Sequence, residues 1–352
     1  MCGILAYFGN KIKRQEFRLA LDLMEHRGPD YTGLGFYEDV MLGHKRLSII
    51  DLSAASNQPF VIDDYAMVFN GEIYNYIELK KEHKIYTNTD SDTEVLLRMY
   101  IKYGPEFLKY LNGMFSIIIY NTSNRDIFIA RDRLGIKPLY IYEKNNEKIL
   151  SSEIAPILEL YPSEYDAFGL RQYRKLRMTI KGYTIYKDIK QFPAAHYSLN
   201  GKISRYWDIH PQQNNNPSDN ELDALLKDSV KLRKRSDVPV GTYLSGGLDS
   251  TILTYLLKPE HTWTVGFPKM NEFLWTEIAD QFLDSTHHKV LVNKEQFLNV
   301  GKWMINKRKE PLSVPNEILI FLMTQKVKKE NTVVLSGEGA DELFWGYDRI
   351  FK

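Results

Sequence analysis

One cysteine in 352 residues leaves no internal disulfide framework and no cysteine-rich zinc site. Long apolar runs are missing too. The stretches Met114-Phe115 and Ile117-Ile118-Ile119-Tyr120, broken by one serine, fall far short of the roughly 20 residues needed to cross a bilayer. Charge of one sign is also scarce: 46 Lys and Arg against 45 Asp and Glu leave a net +1. That balance gives no general attraction to nucleic acid or to an anionic membrane. No basic-then-apolar leader opens the chain, and the expected location is cytoplasmic. What is present is ordinary. Hydrophobic residues make up 43% and charged residues 26%, and the length, at roughly 100–200 residues per domain, suggests two domains with real cores.

The first part of the chain reads as strands, hairpins and short helices. Gly3–Phe8 is a compact apolar strand ended by the turn signal Gly9-Asn10. Residues Arg14 to His26 carry apolar positions at near-helical spacing and stop before Gly28-Pro29. Ala66–Phe69 reads as a strand closing at Asn70-Gly71, a favoured tight-turn dipeptide. A helix over Thr93–Tyr103 follows, then a hairpin of Met114–Tyr120 with Asp126–Ala130. The segment 209–220 has almost no apolar residue and reads as an exposed linker. Beyond it, helices alternate with the strands Val238–Leu244, Thr262–Phe267, His288–Val292 and Thr332–Leu335. This alternation predicts a parallel sheet that binds ligand at the carboxyl ends of its strands.

Two places carry chemistry. Cys2 becomes the first residue once Met1 is removed, and its thiol then shares a residue with an α-amine of pKa roughly 7.7–8.0 that can take its proton. Ser245-Gly246-Gly247-Leu248-Asp249-Ser250 lies between a predicted strand and a predicted helix. Its glycines let backbone N–H groups approach an anion, and its aspartate is a magnesium ligand type. A Walker loop is absent.

The motifs Cys2-Gly3-Ile4, His26-Arg27-Gly28-Pro29-Asp30, Gly43–Asp51, Phe69–Tyr76, Ser91-Asp92-Thr93-Glu94, Ala130–Tyr140 and Ser336–Tyr347 extend the pattern over nearly the whole chain. In order and spacing the sequence resembles the glutamine-dependent asparagine synthetase family, a class II glutamine amidotransferase joined to an ATP-pyrophosphatase. The resemblance implies an α+β N-terminal-nucleophile glutaminase domain of four αββα layers over residues 2–208. It also implies an α/β parallel-sheet ATP-pyrophosphatase domain, like the adenine nucleotide alpha hydrolases, over residues 221–352.

The same resemblance implies that Cys2 cleaves glutamine, with the Asn70 amide and Gly71 N–H stabilising the oxyanion. Arg46 is suited to the α-carboxylate and Asp92 to the α-ammonium, and Glu72 with the backbone near Ile49 and Ile50 completes the pocket. For Mg-ATP it implies Leu244, Ser245, Gly246, Gly247, Asp249, Ser250, Val265, Ser336 and Gly337, with Asp249 and Asp341 at Mg²⁺ and Glu338 at the substrate being adenylated. The expected reaction converts aspartate through an acyl adenylate to asparagine. Alternatives are a glutaminase serving another acceptor, with or without a partner subunit, and a regulator that binds glutamine and nucleotide without synthesis. A homodimer is a further expectation.

The family continues past the Gly-Ala-Asp-Glu segment into a helical region carrying basic residues, whereas this sequence stops at Lys352. Lys302, Lys307, Arg308 and Lys352 are the candidates to supply that charge. The basic runs Lys231–Arg235 and Lys326–Lys329 fall at predicted helix C-terminal ends, where cations oppose the helix dipole. His287-His288 has no ligand set around it that suggests a metal.

Overall fold

The computed structural model describes residues 1–210, 218–344 and 346–347; the linker positions 211–217 and the candidate Lys352 lie outside the described residues. The chain divides into two units, Met1–Gln212 with Asn306–Ser313, and Gln213–Ile305 with Val314–Lys352.

Two six-stranded antiparallel sheets build the first unit. One contains β1 (Gly3–Phe8), β2 (Tyr31–Phe36), β3 (Val40–Arg46), β8 (Tyr140–Lys144), β9 (Glu147–Ser151) and β10 (Ile189–Gln191), in the order β10-β8-β9-β1-β3-β2. The other contains β4 (Phe60–Ile62), β5 (Tyr65–Ile73), β6 (Gly113–Asn121), β7 (Ile127–Arg131), β11 (His196–Leu199) and β12 (Lys202–Arg205), in the order β12-β11-β7-β6-β5-β4.

Alternation along the central strands sorts side chains into three cores. In β1, Ile4, Ala6 and Phe8 face the space between the sheets, where they meet Val68 and Ile118. Leu5 and Tyr7 face outward onto α1 (Arg14–Asp22) and α4 (Ile154–Leu160) through Phe17, Leu21, Ile154 and Ile157. In β6, Phe115, Ile117 and Ile119 face α2 (Tyr76–Glu82) and α3 (Asp92–Tyr103), meeting Leu79, Val95 and Met99. α5 (Ala167–Leu176) joins the α1 side through Leu170 and Tyr173. Strands covered on both faces lose the polar alternation of a one-sided sheet, which is why Gly3–Phe8 reads as continuously apolar. The expected αββα layering is present.

Two local expectations fail for physical reasons. Asn70-Gly71 makes no turn: β5 runs straight through it, with Asn70 opposite Ser116 and Gly71 opposite Phe115. A Cβ on Gly71 would lie 2.1 Å from the Met114 carbonyl oxygen, so the glycine serves close strand approach rather than reversal. The first helix ends at Asp22, and a separate 3₁₀ turn, Glu25–Arg27, follows. Gly28 has Lys45 O 2.2 Å from the place its Cβ would occupy, so the chain crosses β3 too closely for the helix to continue.

The second unit holds a four-stranded, all-parallel sheet of β13 (Val240–Tyr243), β14 (His261–Gly266), β15 (Thr286–Leu291) and β16 (Val333–Leu335), ordered β15-β14-β13-β16. Its helices are α6 (Asp219–Arg233), α7 (Leu248–Leu257), α8 (Phe273–Asp280), α9 (Lys294–Arg308, whose last turn counts with the first unit), α10 (Asn316–Val327) and α11 (Ala340–Phe344). From β13 the chain steps outward to β14 and β15, then returns to β16 on the other side of β13. The loops after β13 and β16 therefore flank a topological switch point, where open α/β sheets bind ligands. No described helix is long and apolar enough to cross a membrane.

Candidate active sites

Cys2 precedes β1, and its backbone oxygen accepts a 2.9 Å hydrogen bond from Arg27 Nε. Arg27 in turn donates to Glu153 at 3.0 Å, and His26 Nε2 lies 2.9 Å from the same oxygen. The thiol sits against the start of the next loop, with Leu47 N donating to Sγ at 3.5 Å. Around it the pocket is lined by Arg46, Ile49, Ile50, Asn70, Gly71, Glu72 and Asp92, so every glutaminase-site residue expected from the sequence meets in one cavity.

β5 carries three of these residues in succession. Asn70 is fully buried; its Nδ2 reaches only Ser152 Oγ, at 3.5 Å, and its Oδ1 has no hydrogen-bond partner. His44 Nε2, 3.2 Å from Phe69 O, must carry the proton there because a carbonyl only accepts. Burial holds His44 neutral by pulling its pKa down to about 3. Asp92 opens α3, whose N-cap is Ser91, and accepts from Ile73 N at 2.9 Å. Burial pushes its carboxyl up to about 6, against the pull of its hydrogen bonds. Burial also raises Glu72 to about 7, with Lys137 acting in the opposite direction.

Arg46 has a second task. Its Nη1 donates to Ser53 O and Asn57 Oδ1, both at 2.7 Å, and its Nη2 donates to Asp51 O. The guanidinium thus folds the loop after β3 around itself and shapes the pocket wall. Sequence reasoning missed Lys137, Gln58 and Met1, which line the pocket too. Gln58 accepts from Phe69 N at 2.6 Å, a contact 11 residues away in sequence that no local pattern signals.

The second pocket lies at the switch point. It is lined by Leu244, Ser245, Gly247, Asp249, Ser250, Val265, Ser336, Gly337, Glu338 and Asp341. The loop is tied internally: Ser250 Oγ accepts from Ser245 N at 3.1 Å, and Ser245 Oγ accepts from Gly247 N at 3.3 Å. A Cβ on Gly337 would lie 3.2 Å from Asp249 Cβ, so the two quoted motifs come close together here. Gly246 is the exception among the expected residues. It does not line the pocket; it turns the loop at φ +77 against Trp275. Unforeseen lining comes from Glu272, Glu342 and, on α10, Asn316, Ile320 and Met323.

Lys302 lies on α9 but does not line this pocket, and Lys307 and Arg308 count with the first unit. Among the described residues no group of three or more His, Cys, Asp or Glu is arranged to hold a metal ion. The oxygen-only donors Asp249 and Asp341 nevertheless suit magnesium, which takes one or two carboxylates and completes its shell with phosphate oxygens and water.

Comparison with known proteins defines the class first. The family described as "Glutamine amidotransferase domain" matches residues 1–207, and the family described as "Asparagine synthase" matches residues 221–352. The chain is 34% identical to putative asparagine synthetase (glutamine-hydrolyzing) 2 of Methanocaldococcus jannaschii, covering 99% of this chain and 76% of that protein. It is 35% identical to asparagine synthetase (glutamine-hydrolyzing) 1 of Bacillus subtilis, over 99% and 59% respectively. With asparagine synthetase B (glutamine-hydrolyzing) of Escherichia coli it shares 32% identity, over 99% and 65%. The chain belongs to the glutamine-hydrolysing asparagine synthetase family. It spans 59% to 76% of the length of these three relatives.

Proposed function

We propose that the protein makes asparagine from aspartate, using glutamine as the nitrogen source and ATP as the activating group. The observation that carries this reading is the convergence of Cys2, Arg46, Asn70, Gly71, Glu72 and Asp92 on one pocket, in a chain that also holds a switch-point pocket. The Cys2 thiolate attacks the glutamine side-chain amide, and Asn70 with Gly71 N–H stabilises the oxyanion. Ammonia leaves, and water hydrolyses the thioester to glutamate.

In the second pocket an aspartate carboxylate attacks the α-phosphorus of ATP, releasing pyrophosphate and leaving an acyl adenylate. Ammonia then displaces AMP. The backbone N–H groups and hydroxyls of residues 245–250 bind the phosphates, Leu244, Val265 and Gly337 flank the nucleoside, and Glu338 acts at the carboxylate being adenylated. Asp249 and Asp341 would hold Mg²⁺, which when bound neutralises phosphate charge. Residues 2–208 form the glutaminase domain, 209–220 the linker and 221–352 the synthetase domain of a cytoplasmic enzyme, with a homodimer as its assembly.

The test mixes the full chain with glutamine, Mg-ATP and aspartate and follows glutamate, AMP and asparagine by mass spectrometry. Asparagine and AMP in equal amounts are expected. Glutamate without AMP would refute aspartate as the acceptor.

Asp92 makes glutamine binding depend on pH. Its folded-state midpoint is about 6 because burial disfavours the charged carboxylate, and the α-ammonium of glutamine would favour it. Below that midpoint a proton must leave before the ion pair forms, so affinity falls toward tenfold for each further pH unit and levels off above it. Calorimetric titration of the non-hydrolysing Cys2→Ala variant between pH 5 and 8 reads this directly. A flat profile would remove Asp92 from the ammonium site.

A further inference from the structure

The motif Ala130–Tyr140 matches the family, yet none of its residues has a part in the chemistry described so far. The structure shows what this segment is built to hold. Asp132, 1% exposed, accepts four backbone N–H groups: Leu134 at 3.2 Å and Ile136 at 2.9 Å on Oδ1, Phe115 at 3.2 Å and Lys137 at 2.9 Å on Oδ2. Arg131 closes the loop from the other side, donating to Lys137 O and Gly135 O at 2.8 Å each. Gly135 supplies the left-handed turn at φ +69. Lys137 is thereby fixed through both its N–H and its carbonyl. The residue is 3% exposed and lines the Cys2 pocket, where Nζ donates to Met1 Sδ at 3.0 Å.

A lysine is a costly residue to bury: burial lowers the pKa of Lys137, Arg27 adds to that, and Glu72, Cys2 and Asp132 favour its charge, whereas an apolar side chain of equal length would fill the same space at no such cost. Met1 is the residue whose removal creates the Cys2 amino terminus, and the ammonium touches the Met1 side chain in the pocket that Cys2 and Glu72 also line. We propose that Lys137 is the fixed cation of the glutaminase site, a positioning residue that shares the pocket with Glu72 and disfavours a second positive charge on the amino group beside the Cys2 thiol. This rests on the glutaminase reading above.

An amine can take a thiol proton only while it is itself neutral. The charged groups acting on the Met1 amino group, one residue before that of Cys2, are Arg27 from the 3₁₀ turn, Lys137 from the loop after β7, and Glu72 from β5, with the Cys2 thiol beside them. Glu153 and His26 act through Arg27, Asp92 bears on Glu72, and Asp132 bears on Lys137. Even with Met1 in place the terminal amino group is held to about 5, by burial first, with Arg27 and Lys137 adding to that and Cys2 and Glu72 opposing it.

The test uses Lys137→Met, which keeps length and volume, and Lys137→Arg, which keeps charge, in the full chain. The pH dependence of kcat/KM for glutamine hydrolysis is the first readout. In K137M the acidic limb is expected to move up by about one unit, with roughly tenfold loss at pH values below both midpoints and full recovery above them; K137R is expected to keep the wild-type limb. A loss equal at every pH, or no change, overturns the proposal.

The second readout does not need turnover. Because the chain has one cysteine, ¹³C-labelled cysteine gives a single residue whose Cα shift titrates with its amino group. K137M is expected to raise that midpoint by about one unit, and an unchanged midpoint overturns the proposal. A wild-type protein without glutaminase activity would instead refute the functional reading, while the amine titration still decides the role of Lys137.

Discussion

Cys2→Ala is expected to end glutamate release, with a loss on the order of 10⁴-fold or more, because Cys2 carries the chain's one thiol to form the acyl intermediate. Water, the remaining nucleophile, attacks an unactivated amide poorly. Alanine keeps the backbone on which Arg27 Nε closes at 2.9 Å and leaves the pocket wall from Arg46 to Asp92 untouched. Glutamine should therefore still bind. Asparagine formation from ammonium salts, supplied at a pH where free ammonia is available, should survive, since only the source of nitrogen has been removed. Loss of both activities together would mean that Cys2 supports the fold rather than the chemistry. Glutamate release that persisted would refute it as the nucleophile.

Much of this site was legible because its chemistry concentrates in short, contiguous motifs. Asn70, Gly71 and Glu72 are successive residues of one strand, and the glycine-rich loop after β13 announces itself between a strand and a helix. The layering was expected from the family resemblance alone, and the structure shows its local cause: six buried residues in a row, Gly3–Phe8, are covered on both faces. What stayed hidden depends on contacts distant in sequence. Asn70-Gly71 has the composition of a tight turn, and only the neighbouring strand, with Met114 O 2.1 Å from the missing Cβ of Gly71, shows why it is extended. Gln58 reaches Phe69 N and Lys137 reaches the Cys2 pocket across loops whose paths no periodicity encodes. Arg46 shows another limit. Its charge pointed to a carboxylate ligand, while its three bonds to the loop after β3 became visible only when that loop was folded.

Gly246→Ala is expected to cut AMP formation at least 100-fold while glutamine hydrolysis, measured without ATP, persists. Gly246 lies at φ +77, where a Cβ costs about 1–2 kcal/mol in backbone strain alone. The added carbon would also sit 2.6 Å from the Trp275 backbone carbon and Cβ, and backbone cannot swing aside as a flexible side-chain tip can. Relief has to come from the loop itself, whose order depends on Ser245 and Ser250 meeting at 3.0 Å. Moving that loop moves the N–H groups and hydroxyls offered to the phosphates, and donors out of place by about 1 Å cost on the order of 100-fold. Gly247→Ala is the matched control. That glycine has an ordinary φ of −72, and its added Cβ would meet only Ser245 Oγ, at 3.3 Å. Its loss should be much smaller, although it lines the pocket and Gly246 does not. Equal losses would mean that lining the pocket matters more than loop strain. No loss in Gly246→Ala would remove the loop after β13 from the adenylation site.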